Sequence, residues 1–345
     1  MKIKAAILVK QRKPLVIADI DASERLERGQ VLVRVLVSGI CGSQIGEIDG
    51  IKGPDVHLPH LLGHEGCGEV IKTGPGVTGV RKGDRVVLHW RRGAGIESKT
   101  PQYRWGNKTV NAGWVTTFNE MAIVSENRIT RISRSIRPET AALLGCALST
   151  AYGVLRNDAK FKKGESIAVI GTGGVGLAVV SMAKAFGASR IAAVDMHANK
   201  LRLAKSLGAG VCYTSVSNKA RGSMMQLTRG FGFDVVVDCT GVVPLMEAAY
   251  ELTAKTGRTI LVGVPPKNHR IRIDSMPLHF GKVITGSWGG GVHPTRDIPR
   301  ILRLIKSGNL NPARLVSDYF RLNDINKAIS DLRTGKVIRA MIKFR

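Results

Sequence analysis

Gly171, Thr172, Gly173, Gly174, Val175 and Gly176 form a GxGxxG pattern. A pattern this short arises by chance in glycine-rich chains, so its surroundings carry the weight. The run 166–170 before it is apolar and reads as a buried strand, and residues 177–186 after it read as a helix. Asp195 closes the next apolar run, 19 residues beyond Gly176. Strand, glycine turn, helix and distal acid together make a dinucleotide-binding fingerprint. Gly171 permits the tight turn, Gly173 lets the backbone approach a pyrophosphate, and Gly176 lets helix and strand pack closely. The helix N-terminus offers unpaired N–H groups and a positive dipole to the phosphates. Asp195 would accept hydrogen bonds from both hydroxyls of an adenosine ribose. Its charge repels a 2′-phosphate and no arginine directly follows it, so NAD is expected rather than NADP.

A second set of residues is spread more widely. Cys41 stands in Gly-Ile-Cys-Gly-Ser, His64 in Gly-His-Glu-Gly and Cys146 in Leu-Leu-Gly-Cys. Two thiolates and one imidazole could hold zinc with the fourth position open, the form a catalytic zinc takes. Taken singly, each residue has another reading: a buried cysteine is a small hydrophobe, and a lone histidine is a hydrogen-bonded structural residue. Spacing leaves that choice open. The cysteines number five, are widely spaced and include no CxxC, which argues against a disulfide framework. Without a signal peptide, reduced thiols in the cytoplasm are expected, with Cys67 and Cys239 packed in the interior.

The elements that must position these groups fall into two textures. Over the first 130 residues, short strands (31–37, 68–71, 85–88) alternate with glycine-rich turns, which suggests an antiparallel, barrel-like β domain. From about residue 150, strands at 166–170, 190–194, 233–237, 259–262 and 283–285 alternate with helices at 176–186 and 200–207. That alternation implies βαβ units and a parallel sheet. Helices at 297–307 and 323–333 and a final strand at 337–344 follow. The length of 345 residues suits two domains. Hydrophobic residues at 43% and charged residues at 23% exclude a disordered or collagen-like chain. No apolar run reaches the length of a membrane span.

Across its whole length the chain resembles the zinc-dependent alcohol dehydrogenases of the medium-chain dehydrogenase/reductase superfamily. The likeness rests on Gly-Ile-Cys41-Gly-Ser, Gly-His64-Glu-Gly, Lys82-Gly-Asp-Arg-Val, Leu-Leu-Gly-Cys146, the GxGxxG unit and Gly335-Lys-Val-Ile-Arg339. Residues 143–195 are especially close to the glutathione-dependent formaldehyde dehydrogenase branch, whose substrate is not carried over. The resemblance implies an α/β chain: a GroES-like, mainly-β catalytic domain over 1–147 completed by 291–345, and a doubly wound Rossmann NAD-binding domain over 148–290. It implies that Cys41, His64 and Cys146 bind catalytic zinc, that Glu65 lies next to the metal, and that Ser43 hydrogen-bonds the zinc-bound oxygen and starts a proton relay. Lys200 would contact the ribose beside Asp195, Arg339 the pyrophosphate, and Thr240 would join the cofactor site. Trp90 would line the substrate pocket. Hydride would pass between an alcohol or polyol and NAD, in a homodimer or homotetramer joined through sheet edges around 283–291.

Three departures matter. Residues 91–111 carry no cysteine where many relatives bind a structural zinc, so a single zinc is expected. Gln44 replaces the usual aspartate, and Gly46 stands where some members place a relay histidine, leaving Glu47 and Asp49 as nearby polar groups. The net charge is +26, scattered with a mild concentration at 91–108 and 160–163. It suits a solvated basic surface, or steering of an anionic substrate. Two other readings stay open: a zinc-free quinone or enone reductase, and a nucleic-acid-binding protein on a dehydrogenase scaffold, whose affinity would fall steeply with salt.

Overall fold

The computed structural model describes residues 1–344. It divides into two compact units: Met1–Ala147 with His293–Arg300 and the chain from Leu315 onward, and Leu148–Val292 with Ile301–Arg314. Residues 301–314, expected with the first unit, pack instead with the second, where the Arg314 guanidinium donates to the Ser206 carbonyl at 3.1 Å.

In the first unit, strands Lys2–Leu8, Val16–Asp21, Gln102–Trp105, Lys108–Asn111 and His60–Leu61 close a barrel. Their inward residues, among them Ile3, Ile7, Ile20, Tyr103 and Val110, form one core. Each fully buried aliphatic side chain stabilises by about 1.5–3 kcal/mol. Beside the barrel, Ile129–Ile132, Arg85–His89, Glu65–Thr73, Gln30–Gly39, Ala340–Lys343 and Asp318–Phe320 lie in that order, with Met121–Ser125 also on Gln30–Gly39. The last strand is shorter than expected. The N–H groups of Ile338 and Arg339 donate to the Ser317 hydroxyl at 3.1 and 3.0 Å, so strand pairing starts only at Ala340.

The second unit is a six-stranded sheet. Its order is Val211–Tyr213, Arg190–Val194, Ser166–Ile170, Phe233–Asp238, Thr253–Leu261, Val283–Gly286, and all of its pairs are parallel. In chain order this is 3-2-1-4-5-6, the doubly wound dinucleotide-binding arrangement. Ser166–Ile170 is buried at every position, which is why it reads as an unbroken apolar run rather than an alternating one.

Candidate active site

Cys41 follows the strand Gln30–Gly39, which is fixed by partners on both sides. The chain then turns into the helix Gly42–Ile48, with Cys41 at its N-cap. Ser38 pairs with Gly66 across the sheet, so His64 and Glu65 arrive beside the end of the strand from which Cys41 emerges. Cys146 lies between the helices Pro138–Leu144 and Ala147–Gly153. Glycine at 145 is required there, because a Cβ would sit 2.3 Å from the Leu88 carbonyl oxygen and 2.8 Å from the Glu65 Cα. These constraints bring the three ligand atoms within 4.8 Å of one another, with the two sulfurs 4.0 Å apart. Two Zn–S bonds of tetrahedral geometry place sulfurs about 3.8 Å apart.

The titratable groups of the cluster act strongly on one another. The contact between the Cys146 and Cys41 sulfurs, with the attraction of His64, outweighs burial to hold Cys41 well below the ordinary thiol range. The same contact, with burial, pushes Cys146 well above it. Burial works to lower His64, but the hydrogen bond and charge of Cys41 raise it. His64 Nε2 is buried and has no partner. A buried donor or acceptor left unmatched marks an absent ligand or ion, so the donor set fits zinc. Ser43 is exposed and donates to Cys41 Sγ at 3.3 Å. Glu65 and Arg339 are 0% and 3% exposed and form an ion pair through Oε1 and Nη2. Burial raises the Glu65 carboxyl, against the opposing charge of Arg339. Sequence reasoning placed both residues but missed their pairing, since 274 positions separate them.

Gln44 secures the backbone ahead of His64. Its Oε1 accepts from the Gly63 N–H and its Nε2 donates to Glu47 at 3.0 Å. His57 and His60 line the same cavity of about 560 Å³ as His64 and Trp90. His60 Nε2 lies 2.7 Å from Asp55 Oδ2, and together with Glu47 they form a second, oxygen-rich group of potential ligands. Trp90 sits edge-on to His64, with ring centroids 6.4 Å apart.

His89 anchors the turn before Trp90. It is 1% exposed, with Nδ1 on the Arg91 carbonyl at 2.7 Å and Nε2 on the Thr130 hydroxyl at 2.9 Å. Burial drives its pKa down to about 4. Between that value and the unfolded value of about 6.5, the unfolded chain binds the extra proton. Stability is therefore whole above this window and falls as pH drops through it, by about 3 kcal/mol in all. Urea unfolding at several pH values checks this. The slope should flatten in His89→Asn, and equal slopes in variant and parent would refute it.

In the second unit, Gly171 turns at φ 87° and the helix Gly174–Ala185 starts with no side-chain cap. A Cβ at Gly176 would lie 1.9 Å from the Gly171 carbonyl oxygen, whereas one at Gly173 would meet nothing within 4 Å. The turn therefore has open backbone where a ligand would approach. Thr172 Oγ1 is buried without a partner. Asp195 accepts from the N–H groups of Thr172 at 2.8 Å and His197 at 3.0 Å, with Lys200 Nζ 3.9 Å away. The Thr240 hydroxyl donates to Asp238 at 2.6 Å, and its methyl lies against Gly171. These features fit a dinucleotide.

The family description "alcohol dehydrogenase GroES-like domain" matches residues 27–134, and "zinc-binding dehydrogenase" matches residues 174–307. The chain is 30% identical to an S-(hydroxymethyl)glutathione dehydrogenase of Synechocystis sp., over 100% of both chains. Among solved structures, benzyl alcohol dehydrogenase from Acinetobacter calcoaceticus superposes with a TM-score of 0.90 at 26% identity, covering 100% of each chain. 2R,3R-butanediol dehydrogenase from Bacillus subtilis reaches 0.80 at 26% identity, covering 99% of this chain and 100% of the other. Among the described residues no helix is long and apolar enough to cross a membrane. The chain belongs to the zinc-dependent alcohol dehydrogenases of the medium-chain dehydrogenase/reductase superfamily, oxidoreductases acting between an alcohol and NAD.

Proposed function

We propose that Cys41, His64 and Cys146 hold one zinc ion per chain. The turn Gly171–Gly176 with Asp195, Lys200 and Thr240 holds NAD, and the substrate is a small alcohol or polyol, interconverted with its aldehyde or ketone. The observation carrying this reading is the convergence of three donors from distant segments around an unpartnered His64 Nε2. Among the described residues the only other group of potential ligands is Glu47, Asp55 and His60. Its oxygen-rich donors are not those of a structural zinc, which supports a single zinc.

When bound, zinc supplies the Lewis acidity that lowers the pKa of an alcohol, and NAD supplies the hydride-accepting ring. The chain does the rest. Ser43 turns its hydroxyl from Cys41 to the substrate, takes the alcohol proton on Oγ and releases its own toward solvent. Arg339 neutralises Glu65 beside the cluster, and the phosphate contact that the resemblance implies would use its remaining donors. Trp90 limits water over His64 and shapes the pocket. Lys200 steadies Asp195, and Asp238 fixes Thr240 against Gly171.

An NAD-reduction screen over primary, secondary and sugar alcohols, with a chelated control and metal content per chain, tests the reading. A folded, metal-free preparation that still turns over would end it. Replacing Asp195 by glycine should lower kcat/KM for NAD by about 10- to 100-fold, the worth of lost charge-assisted hydrogen bonds, and shift the cofactor ratio toward NADP. An unchanged NAD/NADP ratio would remove Asp195 from the site.

The sheet edge Val283–Gly286 supports assembly into a homodimer or homotetramer. Phe280, Val283 and Trp288 near it are 71%, 42% and 73% exposed, and an open strand edge invites pairing. A sedimentation mass of one chain would overturn this. All five cysteines are unpaired, in keeping with a cytoplasmic enzyme, which cell fractionation would check.

A further inference from the structure

One edge of the parallel sheet in the second unit gathers cations that nothing in the alcohol chemistry uses. All strands of that sheet run the same way, so their starts share an edge, and the glycine turn after Ile170 lies at the opposite one. Lys162 and Lys163 precede the strand Ser166–Ile170, and Arg190 opens the strand Arg190–Val194. Lys184 and Lys205 stand in the last turns of the helices Gly174–Ala185 and Ala198–Leu207, which return to the same edge. Backbone bonds tie these segments together: the Gly164 N–H donates to the Gly187 carbonyl at 2.8 Å and the Ser189 N–H to the Glu165 carbonyl at 2.9 Å. The stem of Lys163 lies over Gly187 and that of Lys184 over Gly208, where a Cβ would come within 2.8 and 2.6 Å of them. Arg314 joins the group through its bond to the Ser206 carbonyl.

All six side chains are exposed. Ion pairs in this unit join Lys200 to Asp195, Arg221 to Glu251 and Arg258 to Glu165, and among the described residues none includes any of the six. Glu165 and Glu251 are thus already balanced. Asp234, which accepts from the Ser166 N–H and hydroxyl at 2.8 and 2.7 Å, is the carboxylate left beside the six. A cation in the last turn of a helix answers its dipole, which accounts for Lys184 and Lys205 but not for the other four. Like charges held this close repel, and an anionic partner relieves that repulsion. Phe231 lies in the turn leading into Phe233–Asp238, the strand paired with Ser166–Ile170, and is 77% exposed. The four strand starts from Val211 across to Phe233 span about 14 Å at about 4.8 Å per strand, room for about four phosphates of one nucleic-acid strand.

We infer that this edge binds single-stranded nucleic acid, with the six cations following the phosphate chain and Phe231 stacking on a base. A basic track beside an aromatic platform holds single strands with little regard to sequence. The excess of 52 Lys and Arg over 26 Asp and Glu extends the attraction beyond the edge itself. The inference does not rest on the alcohol reading, because the glycine turn belongs to the other edge of the sheet.

Fluorescein-labelled dT and rU oligomers of about 15 nucleotides, the upper range of such sites, are titrated with the full chain loaded with zinc and NAD and read by anisotropy. Log affinity should fall against log salt with a slope of about −3, from about four phosphate contacts on a single strand. Binding of either sugar type supports the inference and names the nucleic acid. Lys163→Gln, Lys184→Gln and Lys205→Gln together should weaken binding about 10-fold or more at low salt and flatten the slope by about 2, with NAD-linked turnover unchanged. An equal loss of charge on the first unit, Lys10→Gln, Lys13→Gln and Lys82→Gln together, should leave the slope in place. Phe231→Ala should weaken binding by about 5- to 150-fold, the worth of one base–aromatic stack, without altering the slope. No binding at low salt, or a first-unit variant that loses as much as the edge variant, would overturn the inference. A phosphatidylserine vesicle bound more tightly than both oligomers would overturn it in favour of a membrane surface.

Discussion

Replacing Cys41 by serine should reduce NAD-linked alcohol turnover by roughly 10³-fold or more, because Lewis-acid stabilisation is worth several kcal/mol and each 1.36 kcal/mol is a decade in rate. A serine hydroxyl is neutral at working pH and a poor zinc donor, so two ligands remain where three are needed. Ser43 also loses the sulfur that now orients it at 3.3 Å. Cofactor affinity should be retained, since Gly171–Gly176 and Asp195 belong to the other unit. Metal content by mass spectrometry should fall alongside turnover, while NADH fluorescence titration stays close to that of the parent. Full turnover in a zinc-depleted Cys41→Ser enzyme would refute the metal assignment.

Arg339→Met should destabilise the fold by about 3–5 kcal/mol, the usual result of leaving one member of a buried ion pair alone. Glu65 is 0% exposed and keeps Oε2 without a partner even in the intact pair. With the guanidinium gone it must stay charged while buried or take up a proton, and both are costly. The double variant Arg339→Met with Glu65→Gln removes both charges and should recover much of the loss. Denaturant unfolding of the two singles and the double closes the cycle. A single variant within about 1 kcal/mol of the parent would show that the pair behaves like an exposed one.

The second unit was readable from the chain because its physics is local. Ser166–Ile170 and Arg190–Val194 are buried on both faces, so they appear as apolar runs ended by Gly171 and Asp195, and their observed limits coincide with the expected ones. The first unit was readable as β structure but not in its pairing. Its barrel is completed by the two-residue strand His60–Leu61, too short to show a period. Its other sheet joins Gln30–Gly39 to Ala340–Lys343 from the far end of the chain. The three cluster residues were visible as motifs, whereas their meeting depends on those distant pairings. Lys163, Lys184 and Lys205 gave no joint signal among so many basic residues, because only the parallel sheet brings them to one edge.

The hairpin Gln102–Trp105 and Lys108–Asn111 has a wider consequence. It occupies part of the cysteine-free stretch 91–111, and Tyr103 and Val110 sew it into the barrel core. The hairpin is thus held by apolar packing rather than by thiolate ligands of its own. Residues 91–111 hold no sulfur for an oxidant to attack.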